Sequence, residues 1–167
     1  EVIEKAGLEA DDLLGTLSHR CEEKGMDVSI ISGDRDTLQL ATEHIKIRIP
    51  KTKQGKTEVE DYYAADVQER YGVTPKEFID VKALMGDTAD NIPGVPGIGE
   101  KTATAIIAQY HSIEEAHAHA EELRPPRAAK NIVEFYEQAV LSKELATIEV
   151  HADIEYVLSS AVLDNVY

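Results

Sequence analysis

Seven carboxylates, gathered in three short clusters, carry the chemistry that this sequence could perform. The stretch EADD supplies Glu9, Asp11 and Asp12; SGDRD supplies Asp34 and Asp36; GDTAD supplies Asp87 and Asp90. Each cluster has an ordinary structural reading. Acidic side chains favour the positive end of a helix, Gly-Asp makes turns and Asp caps helices, and an i, i+3 pair can simply be solvated. The three together say more. If they converge, like charges a few Å apart cannot all ionise cheaply, and the cluster calls for cations. Oxygen donors without accompanying His or Cys select hard ions, Mg²⁺ or Mn²⁺. Two such ions, ~3.5–4 Å apart, suit the activation of water and the clamping of a phosphodiester in hydrolysis.

Directly after the third cluster runs IPGVPGIGEKTA, a grouping suited to an anion. Gly94, Gly97 and Gly99 read as a tight hairpin between two helices. Gly97 and Gly99 are expected to supply backbone conformations closed to other residues, with no side chain between the amides and a phosphate. Ile98 between them can anchor the turn in the core. The helix starting near Gly99 offers free N–H groups and its dipole, and Lys101 and Thr102 add donors. Carbonyls of the hairpin could also hold a monovalent cation. No G-x-x-x-x-G-K-[ST] motif occurs, which excludes a nucleotide-binding P-loop. Cation and anion devices side by side fit a nuclease, which holds metal at the scissile phosphate and grips the backbone a fixed distance away. Contacts of this kind go to phosphates and position the duplex without reading its sequence.

The elements that must position these residues fall into two grammars. Residues 1–4 read as a short strand. Residues 9–24 form a helix with Ala10, Leu13, Leu14, Leu17 and Cys21 as its apolar stripe. DVSII (27–31) is a strand, DTLQLAT (36–42) a short helix and HIKIRI (44–49) an alternating strand. KTKQG (51–55) then turns towards KTEVE (56–60). After about residue 61 the segments DYYAADVQERYG, PKEFIDVKALMG, GEKTATAIIAQY, SIEEAHAHAEEL and RAAKNIVEFYEQAVLSKELAT all read as helices. The tail EVHADIEYVL is expected to return as a strand. The expected organisation is an α/β portion at 1–60, a helical portion at 61–148 and a returning segment at 149–167.

Composition sets the limits. At 167 residues and 43% apolar content the chain can bury a globular core. Its 17 Lys+Arg against 32 Asp+Glu give −15, which opposes a polyanion unless part of the acid is gathered into a metal-neutralised site. Cys21 is the single cysteine, so no internal disulfide can form and a reducing, intracellular setting is expected. No apolar run reaches the ~18 residues of a membrane span. The opening, without Met or leader, reads as a fragment of a longer chain.

GLEADDLLGTL, SGDRDTLQL, LMGDTADNIPGVPGIGEKTA and LATI resemble the 5′-nuclease domains of the flap endonuclease family, the kind found at the amino end of bacterial DNA polymerase I, within the wider PIN-like group. The resemblance runs from residue 1 to at least Ile148. It implies a PIN-like parallel-sheet α/β core followed by a helical subdomain with a helix-hairpin-helix at about residues 80–110. It also implies a 5′-3′ exonuclease or flap endonuclease that removes 5′ flaps and RNA primers in replication and repair, in the bacterial cytoplasm and at the nucleoid. On that resemblance Glu9, Asp11 and Asp12 face one metal region, Asp34 and Asp36 the other, and Asp87 and Asp90 complete the site. The hairpin from Gly94 to Thr102 binds duplex phosphates and a K⁺-type ion. Family members carry further metal-binding aspartates and a basic helical arch amino-terminal to the segment matching residue 1, so the resemblance implies impaired catalysis for this chain by itself. A polymerase domain in the longer chain is a further implication.

Two other readings stand beside the enzyme: a non-enzymatic duplex-binding helix-hairpin-helix module, and an acidic interaction domain favoured by net charge. The remaining candidates read as structural. His117 and His119 face different sides of a helix and make a poor metal pair. Tyr62, Tyr63 and Tyr71 read as packing residues, one of which could stack on a base. RPPRAAK (124–130) reads as a solvated basic loop that could touch the DNA backbone, and Lys51, Lys53 and Lys56 mark an exposed hairpin.

Overall fold

The computed structural model describes residues 1–163. Helix α1 spans Ala10–Glu23, followed by strand β1 (Val28–Ile31) and a 3-10 turn at Arg35–Leu40. Strands β2 (Ile45–Lys53) and β3 (Lys56–Tyr62) come next, then helices α2 (Ala64–Tyr71), α3 (Pro75–Met85), α4 (Glu100–Tyr110), α5 (Ile113–Ala118), α6 (Pro126–Glu134) and α7 (Tyr136–Ala146). β1 lies parallel to β2, with Ile30 opposite Ile47, and β3 returns antiparallel. The alternation in 44–49 does what alternation dictates: Ile45, Ile47 and Ile49 are buried, while Lys46 and Arg48 are only partly covered. One apolar cluster runs from Ile30 through Leu38, Ile47, Leu84 and Ile107 to Ile148, joining the sheet to the helices.

Several expectations are corrected. Residues 1–4 form no strand. The short helix after SGDRD is a 3-10 turn, because Asp34 Oδ1 accepts the Asp36 N–H at 2.9 Å and tightens its start. The long helix expected over 127–147 is two helices, broken at Phe135. No strand forms over 149–158. That segment lies along α1, with Thr16 Oγ1 accepting the Ala152 N–H at 3.1 Å and Arg20 donating to the carbonyls of Ala152 and Ile154. Side chains of α1 therefore satisfy the backbone groups that a ladder would otherwise pair.

The same docking changes which face of α1 is buried. The small residues Gly15, Thr16 and Ser18 are buried beside Leu13, whereas Leu14, Leu17 and Cys21 are half-buried and Ala10 is exposed. A Cβ on Gly15 would meet Ile148 Cγ2 at 2.8 Å, so the tail approaches the helix backbone closely. Among the described residues, no helix is long and apolar enough to cross a membrane.

Candidate metal centre and duplex-binding hairpin

The first acidic cluster sits where α1 begins. Glu9 is the N-cap residue, and its N–H donates to Asp12 Oδ2 at 3.2 Å. Asp12 Oδ1 accepts the Glu149 N–H at 3.0 Å, so one carboxylate both caps the helix and ties down the tail. The second cluster follows β1, at the carboxyl end of a strand paired in parallel, where open α/β sheets present ligand sites. The third does not end α3 directly. Gly86, at φ +71°, closes that helix, and a bridge between Asp87 and Ile92 turns the chain so that Asp90 points back at Asp34 and Asp36.

One oxygen each from Asp34, Asp36 and Asp90 lies within 4.8 Å of the others. The same three, with Glu9, Asp11 and Asp12, line a cavity of about 580 Å³. Six of the seven carboxylates thus share one small volume. Asp87 stands apart from it, in the neighbouring cleft that also holds Asp34, Asp36, Asp90 and Lys82.

The electrostatics follow from that crowding. The Asp11 carboxyl is pushed up to about 6 by burial and by the charges of Asp34, Asp36, Glu9 and Asp12. Asp36 is also raised, chiefly by burial, which outweighs the opposing hydrogen bond from Lys82. Asp87, at the surface side, is held below the usual carboxylate range by its Lys82 hydrogen bond. Lys82 went unnoticed as a site residue in the sequence, where it reads as one position in an amphipathic helix. Its Nζ donates to Asp36 Oδ1 and Asp87 Oδ2, both at 2.6 Å, and its side chain is 8% exposed. A lysine in the last turn of a helix is ordinary, so its sequence position carries no signal of the site.

An all-oxygen set of this size fits a hard divalent ion. The side chains of Asp34, Asp36 and Asp90 are close enough to be drawn onto one ion, and Glu9 and Asp11 border the same space.

The hairpin is pinned from three sides. Val95 N–H donates to Leu84 O at 2.7 Å, Gly94 N–H to Ser142 Oγ at 2.9 Å, and Gln138 Nε2 to Gly94 O at 2.8 Å. Asn131 Nδ2 donates to Pro96 O at 2.8 Å. Gly94, at φ +64°, has no room for a side chain, since a Cβ there would lie 2.5 Å from Gly86 N. Gly97 is left-handed at φ +77°, as expected, and Ile98 is buried. Gly99 is not conformationally special: its φ is −92°, any residue can adopt it, and open space faces it. Lys101 is exposed in the first turn of α4, with Thr102 half-buried beside it, and Lys101 pairs with no carboxylate among the described residues. Arg127, expected in a solvated loop, belongs to α6, and its Nε lies 3.8 Å from the Cβ position of Gly97.

Of the three tyrosines expected to pack, Tyr62 and Tyr71 do, whereas Tyr63 is exposed. Tyr62 is buried against Tyr71, which meets Phe78 edge-on. His117 is half-buried and stacks on Tyr136, while exposed His119 stacks on Tyr110, so the two do not share a ligand.

A sheet with acidic residues at a strand end, joined to helices around a glycine hairpin, defines the class: a PIN-like nuclease fold with a helix-hairpin-helix. Two family models cover the chain, the 5′-3′ exonuclease N-terminal resolvase-like domain over residues 1–72 and the 5′-3′ exonuclease C-terminal SAM fold over residues 73–166. The chain belongs to the 5′-3′ exonuclease family.

Its relatives include DNA polymerase I of Bacillus caldotenax, 46% identical over 147 residues, which covers 88% of this chain and 16% of that protein. DNA polymerase I of Streptococcus pneumoniae R6 is 42% identical over 159 residues, covering 95% and 18% respectively. The chain therefore spans less than a fifth of the length of these relatives. Among solved structures, the T5 5′-exonuclease with bound divalent metal ions (zinc) superposes with a TM-score of 0.75 at 26% identity, over 88% of this chain and 52% of that one. The T5 D15 flap endonuclease in a pseudo-enzyme-product complex with DNA and metal ions gives 0.72 at 25% identity, over 89% and 52%.

Proposed function

We propose that this chain carries the metal-binding and duplex-gripping parts of a structure-specific 5′-3′ exonuclease or flap endonuclease acting on branched or nicked DNA in bacterial replication and repair. The observation that carries the reading is the meeting of three sequence-distant acidic clusters in one cavity, with oxygen atoms of Asp34, Asp36 and Asp90 within 4.8 Å. Glu9, Asp11, Asp12, Asp34, Asp36 and Asp90 would hold two Mg²⁺ or Mn²⁺ ions, with Asp87 acting beside them. Such ions supply an activated water and neutralise charge developing on the phosphate.

The protein's own part is placement. Gly97, Gly99 and the first turn of α4, with Lys101 and Thr102, would take phosphates of the duplex, and Gly94 and Ile98 would hold the loop's shape. The carbonyls of Gly97 and Ile98 accept no hydrogen bond among the described residues, which supports a K⁺ site there. The resemblance to the T5 enzyme bound to DNA and metal ions supports the substrate class. In the longer relatives a polymerase would be the covalent neighbour.

The test is binding by the chain itself, of Mn²⁺ and of nicked duplex. Asp34→Asn with Asp36→Asn together should weaken Mn²⁺ binding at least ~10-fold, and Lys101→Ala should weaken duplex binding about equally across sequences, with a shallower salt slope. Unchanged Mn²⁺ affinity in the double variant, or a sequence-dependent loss with Lys101→Ala, would refute the reading.

A further inference from the structure

Among the described residues two cations border the acidic cleft, Arg35 and Lys82, and of these Lys82 is buried while Arg35 is half-exposed. Lys82 leaves the last turn of α3 and reaches Asp36 on the turn after β1 and Asp87 beyond the end of its own helix, at 2.6 Å in both cases. Asp36 therefore belongs to two sets at once. It shares a proton-rich contact with Lys82 and Asp87, and it stands within 4.8 Å of Asp34 and Asp90 in the cluster suited to a divalent ion.

Two consequences follow from elementary electrostatics. Without metal, Lys82 neutralises the most buried carboxylate of the cluster, which would otherwise be an unpaired charge. An ion held by Asp36 would share that carboxylate with the ammonium, and two positive charges drawn to one carboxylate repel each other in a partly buried site.

We propose that Lys82 is a positioning residue and resident counter-ion: it fixes Asp36 before metal arrives, retains Asp87 as its own partner, and thereby weakens the site's affinity for divalent ions in exchange for an ordered metal-free site. This rests on the metal-centre reading above. A lysine in this place makes metal occupancy sensitive to the ion's concentration instead of permanent.

The experiment measures Mn²⁺ affinity by electron paramagnetic resonance, and thermal stability in EDTA, for the unsubstituted chain, Lys82→Met and Lys82→Arg. Lys82→Met should bind Mn²⁺ roughly tenfold more tightly or better, unfold at lower temperature in EDTA, and regain stability with Mn²⁺. Lys82→Arg, which keeps the charge, should bind within about threefold of the unsubstituted chain. Equal or weaker Mn²⁺ binding by Lys82→Met overturns the inference while leaving the metal centre standing. Failure of the unsubstituted chain to bind Mn²⁺ removes the metal centre itself and this inference with it. A second measurement needs no variant. The ¹H–¹⁵N signal of the buried Lys82 ammonium should be visible in EDTA and shift on adding Mg²⁺; a signal indifferent to saturating Mg²⁺ overturns the inference as well.

Discussion

Arg35 donates to Glu100 at 3.0 Å, joining the residue between Asp34 and Asp36 to the first residue of α4, 65 positions along the chain. The guanidinium also lies 5.2 Å from the centre of the Tyr71 ring. One side chain thus connects the acidic turn to the helix that follows the hairpin.

Because both partners are about half exposed, the Arg35–Glu100 pair contributes little to global stability. Arg35→Ala should cost less than about 1 kcal/mol. Its effect should be local: hydrogen exchange at the Ala103 amide, which donates to Gly99 O at 2.9 Å, should accelerate. Exchange measured by NMR at unchanged rate would assign the link to the backbone alone.

The raised Asp11 carboxyl sets a pH dependence. A folded-state value of about 6 against 3.8 for the free group means that folding favours the protonated acid. Its contribution to stability is full below the unfolded value, is lost as pH rises towards 6, and is a constant penalty above that. In EDTA, Asp11→Asn should therefore be more stable than the unsubstituted chain at pH 7, with the difference vanishing towards pH 4. Paired thermal melts across that range check the sign.

Gly94 and Gly99 should separate fold from function. Gly94→Ala puts a methyl 2.5 Å from Gly86 N at a positive φ, and should cost more than about 3 kcal/mol or prevent folding. Gly99→Ala meets nothing within 4 Å and should leave stability within about 0.5 kcal/mol. If Gly99 lets a phosphate approach, that variant should still lose duplex affinity in a titration with nicked DNA.

Lys143 holds a buried acid of a different kind. Its Nζ lies 2.9 Å from Asp80 Oδ1 and 3.0 Å from Glu114 Oε2, while Asp80 also accepts the Ile113 N–H. Burial keeps the Asp80 carboxyl above its usual range despite these partners. Lys143→Met should cost about 2–3 kcal/mol, less than for a fully enclosed pair because the lysine is partly solvated. Asp80→Asn added to it should recover part of the loss, as urea denaturation would show.

Local chemistry was legible in the sequence, and distant pairing was not. SGDRD and the Gly97–Ile98 turn are written in residues that act on their own backbone, so their shapes could be read directly. The convergence of Glu9, Asp34 and Asp90 was an arithmetic of element ends, reachable once each cluster had been placed at one. Lys82 was hidden because its partners lie at Asp36 and Asp87, and nothing in FIDVKALMG distinguishes an inward lysine from a solvated one. The tail alternates like a strand, yet the small face Gly15-Thr16-Ser18 of α1 offered it a closer surface and side-chain partners. The break at Phe135 carries neither Gly nor Pro, so periodicity ran straight through it. Gly99 looked indispensable from its spacing, although its backbone angle is one that any residue adopts.

Everything turns on whether acids from three parts of the chain bind one set of ions. Anomalous diffraction from crystals soaked in Mn²⁺ tests this most directly. The account predicts a peak about 2.0–2.3 Å from an oxygen of at least two of Asp34, Asp36 and Asp90. Peaks confined to other surfaces, with that cavity holding only water at saturating Mn²⁺, would contradict it.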